Sequence, residues 1–115
     1  MNPKFNVQLL PNAIEFLDQL PEKPREKIYY NMNKSRYILQ SDLLKKLNSN
    51  IWEFRTLYDG ISYRLFAFWH NNGLEPSLLI ATHGIFKKSK KTPKQEIIKA
   101  EEIRKYFIEN VNGEL

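Results

Sequence analysis

The sequence predicts an α+β fold in the order β-α-α-β-β-β-α, with a helical hairpin packed on one face of a small, mostly antiparallel sheet. Three observations lead to this prediction: two proline-bounded helical segments near the start, β-branched and aromatic residues around a turn signal in the middle, and an amphipathic segment near the end. A chain of 115 residues has the length of one domain, and we expect residues 1–115 to form a single one.

The first third of the chain predicts one strand and two helices. Residues 5–10 alternate apolar and polar side chains, as a strand with one buried face does, and Pro11 ends this strand. Asn12 is the expected cap of a first amphipathic helix. Two prolines then separate this helix from a second one, which we expect to reach about Leu39.

The middle of the chain predicts a three-stranded meander. Residues 51–70 are rich in β-branched and aromatic side chains, and they are interrupted by Asp59-Gly60, a strong signal for a two-residue hairpin turn. Another turn is expected at 71–76, followed by a strand at 77–86.

The register of this hairpin places two arginines opposite each other. A turn at 59–60 pairs positions whose numbers add up to 119, so Arg55 lies across from Arg64. Facing guanidinium groups repel by some tenths to about 1 kcal/mol, and we expect a carboxylate or a bound anion to offset this repulsion. In a structural interpretation of the facing arginines, Glu53 on the same face is the carboxylate that pairs with them. In a functional interpretation, the two arginines hold a phosphate from two sides. We expect the opposite face to form the core.

The excess positive charge lies in one short segment ahead of the last helix. The chain has 18 Lys+Arg against 13 Asp+Glu, and removing five lysines at 87–94 leaves 13 against 13. Thr92 and Pro93 are typical of a helix start, whose free N–H groups and dipole favour phosphate, and apolar residues recur at helical spacing to about Asn110. The alternative interpretation of the lysines is a solvated loop. The five lysines are Lys87, Lys88, Lys90, Lys91 and Lys94.

Three other residues are candidates with competing interpretations. Lys45 and Lys46, just before the hairpin, either extend the basic surface or end a solvated helix. His83 lies in the last strand near the lysines, but a lone histidine is more often packed and hydrogen-bonded than it is an acid or base.

Composition and motifs exclude several classes of protein. The chain has no cysteine, two histidines and scattered acids, so we expect no disulfide, metal site or cofactor. There is no phosphate-binding glycine loop, nucleophile elbow or pair of acids placed for sugar hydrolysis. Residues 1–10 lack the apolar stretch of a signal peptide, and no run of about 18 apolar residues occurs, so we expect a cytoplasmic protein with no membrane partner.

Metal-independent RNA cleavage is compatible with the remaining residue types. The 2′-hydroxyl of the RNA supplies the nucleophile once a base removes its proton, and positive groups stabilise the charge on the phosphorane. DNA lacks this hydroxyl, so the mechanism is restricted to RNA.

Four motifs follow one another between residues 44 and 106. They are Ile51-Trp52-Glu53-Phe54-Arg55, Tyr63-Arg64, His83-Gly84-Ile85-Phe86-Lys87-Lys88, and Thr92-Pro93 ahead of a helix. In this order and spacing they resemble the RelE/ParE toxin superfamily, and more closely its phage-derived, HigB-like branch. One departure is Ile85-Phe86, where that branch usually has Phe-Val.

The resemblance implies a toxin of a type II toxin–antitoxin system, a ribosome-dependent mRNA endoribonuclease that inhibits translation. It also implies a cognate antitoxin, often a helix-turn-helix protein, through which the complex binds operator DNA. By position, Arg64 and Lys87 contact the phosphate and the transition state, Arg55 supports them, and His83 matches the family's strand histidine. The expected RNA-backbone contacts are Lys45, Lys46, Lys88, Lys90, Lys91 and Lys94.

Two other functions fit the same sequence. A ParE-like inhibitor of DNA gyrase uses the same fold with a binding surface only, and a basic protein that binds nucleic acid without cutting it needs no aligned arginines. The facing arginines and the dense lysines favour RNA over a topoisomerase as the target, whereas nothing in the sequence forbids the non-catalytic alternative.

Overall fold

A computed structural model describes residues 2–38, 42–70, 77–88 and 91–112, with side chains up to 110. This part of the chain forms three helices and a five-stranded mixed sheet, which confirms the predicted α+β class. The predicted turn at 71–76, the predicted helix end at Leu39 and the candidate Lys90 lie outside the described residues. In chain order the elements are β1 (Phe5–Leu9), α1 (Pro11–Asp18), α2 (Glu22–Tyr37), β2 (Leu44–Lys46), β3 (Ile51–Tyr58), β4 (Ile61–His70), β5 (Ser77–Lys87) and α3 (Lys94–Asn112).

The sheet has the strand order β1-β5-β4-β3-β2. Strand β1 runs parallel to β5, and the other neighbouring pairs are antiparallel, so the sheet is mostly antiparallel as predicted. The predicted order lacks β2, where Lys45 and Lys46 form part of an edge strand instead of a helix end. A strand of three residues is too short to show alternation, and lysines are common on edge strands because they oppose further pairing.

The central hairpin has the predicted register. Asp59 and Gly60 both have positive φ angles, 51° and 77°, as a two-residue type I′ turn requires. Because this turn leaves the strands no freedom to slip, Arg55 pairs with Arg64.

Helices cover both faces of the sheet, although the sequence predicted only one core face. Helices α1 and α2 pack on the face that carries Phe54 and Leu65, as predicted. Helix α3 packs on the other face through Ala100, against Phe66 and Phe68 of β4. Strand β4 is therefore buried on both sides, which its nearly continuous apolar run permits.

The helix starts differ from the predicted ones. Helix α1 begins at Pro11 with Leu10 at the N-cap position, and Asn12 is already helical. Proline suits the first helical position because its missing N–H group has no partner there. Helix α3 begins at Lys94, two residues after the predicted cap Thr92.

Candidate functional site

The candidate arginines and lysines come together at one end of the sheet. Strand β5 runs beside β4 and places Lys87 opposite Ser62, two residues before Arg64. Because side chains alternate along a strand, Lys87, Arg64 and Arg55 lie on the same face, the one that α3 covers farther along. We call this part of the sheet the charged end.

Glu53 lies at the centre of the charged end. Its side chain is 1% exposed, and Oε1 lies 2.6 Å from Nη1 of Arg64 and 3.4 Å from Nε of Arg55. The other oxygen, Oε2, accepts a hydrogen bond of 2.7 Å from the hydroxyl of Thr92. A buried carboxylate needs such partners because it has lost its hydration. Glu53 therefore offsets the repulsion between the two arginines, which is the structural interpretation of the facing pair.

The two arginines differ in how far they reach into solvent. Arg64 is 3% exposed, and its Nε donates to the hydroxyl of Ser62 at 2.7 Å. Its Nη1 donates both to Glu53 and to the hydroxyl of Thr92, at 2.6 and 3.2 Å. The side chain of Arg55 is 29% exposed. Arg55 is therefore the more accessible of the two guanidinium groups, although the family resemblance implies the phosphate contact for Arg64 and a supporting role for Arg55.

A groove of about 440 Å³ opens at the charged end. This volume lies in the range of small-ligand pockets. The cations Arg55, Arg64 and Lys88 line it, together with the hydroxyl-bearing Ser62 and one acid, Asp42. Such a lining favours an anion with several oxygen atoms, as a phosphate group has.

Of the lysines near the end of β5 and the start of α3, Lys88 is the one described residue that lines this groove. Lys88 is exposed and lines it, whereas Lys87 is half-buried. Lys91 and Lys94 are exposed on either side of Thr92. Lys88 and Arg55 thus share the lining of the groove, and Lys91 and Lys94 flank Thr92, which is hydrogen-bonded to Arg64.

Strand β2 places its two lysines, Lys45 and Lys46, on opposite faces of the sheet. Lys45 pairs with Glu53 and so shares the face of the charged end, whereas Lys46 pairs with Trp52 on the opposite face. Both side chains are exposed. Of these two lysines, only Lys45 therefore lies on the face of the charged end.

His83 lies between the sheet and α3, apart from the groove lining. It is 3% exposed and stacks on Phe66 at 4.9 Å between ring centroids. Its Nδ1 lies 2.9 Å from the hydroxyl of Thr82, and its Nε2 lies 3.0 Å from a carboxylate oxygen of Glu96. Burial lowers the pKa of His83, the hydrogen bond to Glu96 opposes this, and the charge of Lys99 adds to it. The contacts are those of a packed, hydrogen-bonded histidine that joins α3 to the sheet.

Thr92 and Ser62 are two members of the site that the sequence did not identify. The sequence predicts Thr92 as a helix cap, whereas in the structure its hydroxyl donates to Glu53 and accepts a hydrogen bond from Arg64. Ser62 could have been found from the hairpin register, which places it on the same face as Arg64, two residues away along β4.

Neither a metal cluster nor a membrane span occurs in the described part of the chain. No three His, Asp or Glu side chains of residues 2–38, 42–70, 77–88 and 91–110 are grouped to hold a metal ion. None of the helices described here is long and apolar enough to cross a membrane.

Comparison with known families places the chain in one of them. Residues 15–105 match the model of the phage-derived Gp49-like proteins (DUF891), and this range includes every residue of the charged end. The chain belongs to this family. The Gp49-like family is of the RelE-like toxin type, so the resemblance is confirmed at the level of a toxin-like family. No curated protein matches the chain.

Proposed function

We propose that this Gp49-like protein is the toxin of a type II toxin–antitoxin system and an endoribonuclease that cleaves mRNA on the ribosome. The observation that carries the proposal is the groove at the charged end, where Arg55, Arg64 and Lys88 line a space that can take a phosphate. The RelE-like character of the family supports the same conclusion. We further assign the chain to the HigB-like branch and its fold to the RelE-like topology.

In the proposed reaction, the groove binds the phosphodiester that is cut. The 2′-oxygen of the preceding ribose attacks phosphorus as its proton is removed, and the bond from phosphorus to the 5′-oxygen breaks. The leaving oxygen takes up a proton, so the products are a 2′,3′-cyclic phosphate and a 5′-hydroxyl. Arg55, Lys87 and Lys88 stabilise the additional negative charge of the phosphorane.

Arg64 has a different role from the one its sequence position implies. Its guanidinium is bound to Glu53, Ser62 and Thr92, so we assign it to the wall of the groove and not to the first contact with phosphate. Arg55 makes that first contact because its side chain is partly exposed. No step of the proposed reaction uses His83.

The remaining lysines bind the RNA around the cleavage point. Lys45, Lys91 and Lys94 are exposed, and they contact the backbone of mRNA or ribosomal RNA. A helix-turn-helix antitoxin neutralises the toxin, and the complex binds operator DNA through that antitoxin. The toxin acts in the cytoplasm, where messages are translated.

The proposal is tested by comparing two arginine variants with similar exposure. Arg55→Ala removes the phosphate contact, and we expect mRNA cleavage by purified protein and ribosomes to fall about 100-fold. Arg104→Ala is the matched control, since this α3 side chain is 28% exposed, has only a weak ion pair at 3.9 Å and lies outside the groove lining. We expect the control to cleave like the wild type.

Two outcomes of this test would contradict the proposal. An Arg55→Ala variant that cleaves as fast as the wild type shows that the groove is not the site. Intact messages together with linearised plasmid in cells that express the protein indicate a gyrase inhibitor instead.

A further inference from the structure

The side chain of Thr92 attaches the segment before α3 to the charged end. Thr92 donates its hydroxyl hydrogen to Oε2 of Glu53 at 2.7 Å and accepts a hydrogen bond from Nη1 of Arg64 at 3.2 Å. Thr92 is 39 residues away from Glu53 along the chain, so this contact joins two distant parts of the sequence. We propose that Thr92 and Glu53 are positioning residues, whose hydrogen bond holds Lys91 and Lys94 in place to bind the RNA backbone.

The remainder of α3 is attached to the sheet independently of Thr92. Glu96 contacts His83 at 3.0 Å, Asn50 donates to Glu101 at 3.4 Å, and Ala100 is fully buried against the sheet. Loss of the Thr92 hydroxyl therefore leaves the helix docked. The expected effect is local and falls on the segment that carries the lysines.

The positions of the two lysines explain why this attachment matters for RNA. Lys91 directly precedes Thr92 and Lys94 follows it by two residues, and both side chains are exposed. A free segment has to be ordered when RNA binds, and this ordering weakens binding. A segment already held beside the groove avoids that loss, so both lysines can contact phosphates at the same time as Arg55.

The same hydrogen bonds also fix the wall of the groove. The guanidinium of Arg64 is held between the hydroxyls of Ser62 and Thr92 and the carboxylate of Glu53. The buried carboxylate thus orients both the arginine and the lysine segment. This inference rests on the proposed function, because it takes RNA as the ligand of the groove.

The test compares RNA binding by Thr92→Val, Thr92→Ser and the wild type. Fluorescence anisotropy with a labelled oligouridylate, measured between about 50 and 200 mM salt, gives the affinity and its salt dependence. We expect Thr92→Val to bind about tenfold more weakly, with a salt slope reduced by about 1.4 because the phosphate contacts of both lysines are lost, each worth about 0.7 on a single strand. Thr92→Ser keeps the hydroxyl, so it should restore both values.

Asn50→Ala is the control for a general loosening of α3. This variant removes the hydrogen bond to Glu101 on the same helix but leaves Thr92 in place. We expect it to bind RNA with the affinity and slope of the wild type. Circular dichroism at the assay temperature checks that each variant is folded.

The results separate this inference from the proposed function. The inference is overturned if folded Thr92→Val keeps the RNA affinity and salt slope of the wild type. It is also overturned if Asn50→Ala loses as much RNA affinity as Thr92→Val does. If the wild type binds RNA in a Thr92-dependent way but cleaves no mRNA on ribosomes, the proposed function fails and the inference stands. A wild type that does not bind RNA even at low salt overturns both.

Discussion

The two covered faces of the sheet differ in what they bury. Under α1 and α2 the core is apolar, with Phe54 and Leu65 among its fully buried members. Under α3 the face is apolar around Phe66 but becomes charged at Glu53 and Arg64, which are buried just as deeply. Burying charges is unfavourable unless each is paired, and apolar residues of similar size are often as stabilising. In keeping with the proposed function, we propose that the charged end serves binding more than stability.

The largest expected effect comes from breaking the central ion pair. Glu53→Gln leaves the buried guanidinium of Arg64 without its carboxylate, and we expect the free energy of unfolding to fall by about 3–5 kcal/mol. The double variant Glu53→Met with Arg64→Leu replaces both partners, so it does not bury the guanidinium charge that Glu53→Gln leaves without its carboxylate. We expect the double variant to return to within about 2 kcal/mol of the wild type in urea unfolding.

RNA cleavage separates stability from function in this pair of variants. The stable double variant should still fail to cut mRNA, because its groove has lost Arg64 and the attachment of Thr92. A double variant as unstable as Glu53→Gln would show that the ion pair itself stabilises the fold. Full cleavage by the double variant would show that the charged end is not needed for the reaction.

A smaller effect is expected from pH, at the contact between His83 and Glu96. Burial lowers the pKa of His83 below 6.5, with Glu96 opposing the shift and Lys99 adding to it. The unfolded chain therefore takes up this proton more readily than the folded protein. The free energy of unfolding should decline as the pH falls below 6.5 and level off once it is below the pKa of the folded state.

The contribution of His83 is isolated with a variant that cannot titrate. We expect His83→Asn to be less stable at about pH 7.5 but to lose less stability than the wild type on going to about pH 5.5. Urea unfolding at the two pH values measures this difference. The same pH dependence in both proteins would show that other groups are responsible.

The sequence predicts the central part of the sheet well because its interactions are local. A two-residue turn at 59–60 determines the whole register of β3 and β4, including the facing Arg55 and Arg64. Strand β2 is not predicted because three residues are too few to show the alternation of a strand. Its two lysines also resemble the solvated end of a helix. The face that α3 covers is not predicted as a core face, because its apolar residues Phe66 and Phe68 share that side of the hairpin with charged residues.

The grouping of the candidate side chains at one end of the sheet is predictable from the sequence, but their burial and hydrogen bonds are not. Arg55, Arg64, Lys87 and Lys88 do lie at one end of the sheet. Arg64 donates a hydrogen bond to Thr92, whose local pattern predicts a helix cap. Its actual hydrogen-bond acceptor is 39 residues away, and no local rule relates the two positions.

In the proposed function, the charged end cuts mRNA by using the 2′-hydroxyl of the RNA itself while a ribosome translates the message. The most direct test uses two ribosome-bound messages that differ by a single 2′-deoxynucleotide at the position cut in the all-ribonucleotide message, with cleavage mapped by primer extension. We expect the all-ribonucleotide message to be cut and the substituted one to stay intact at that position. Equal cutting of the two messages would contradict the mechanism, and no cutting of either would contradict the function.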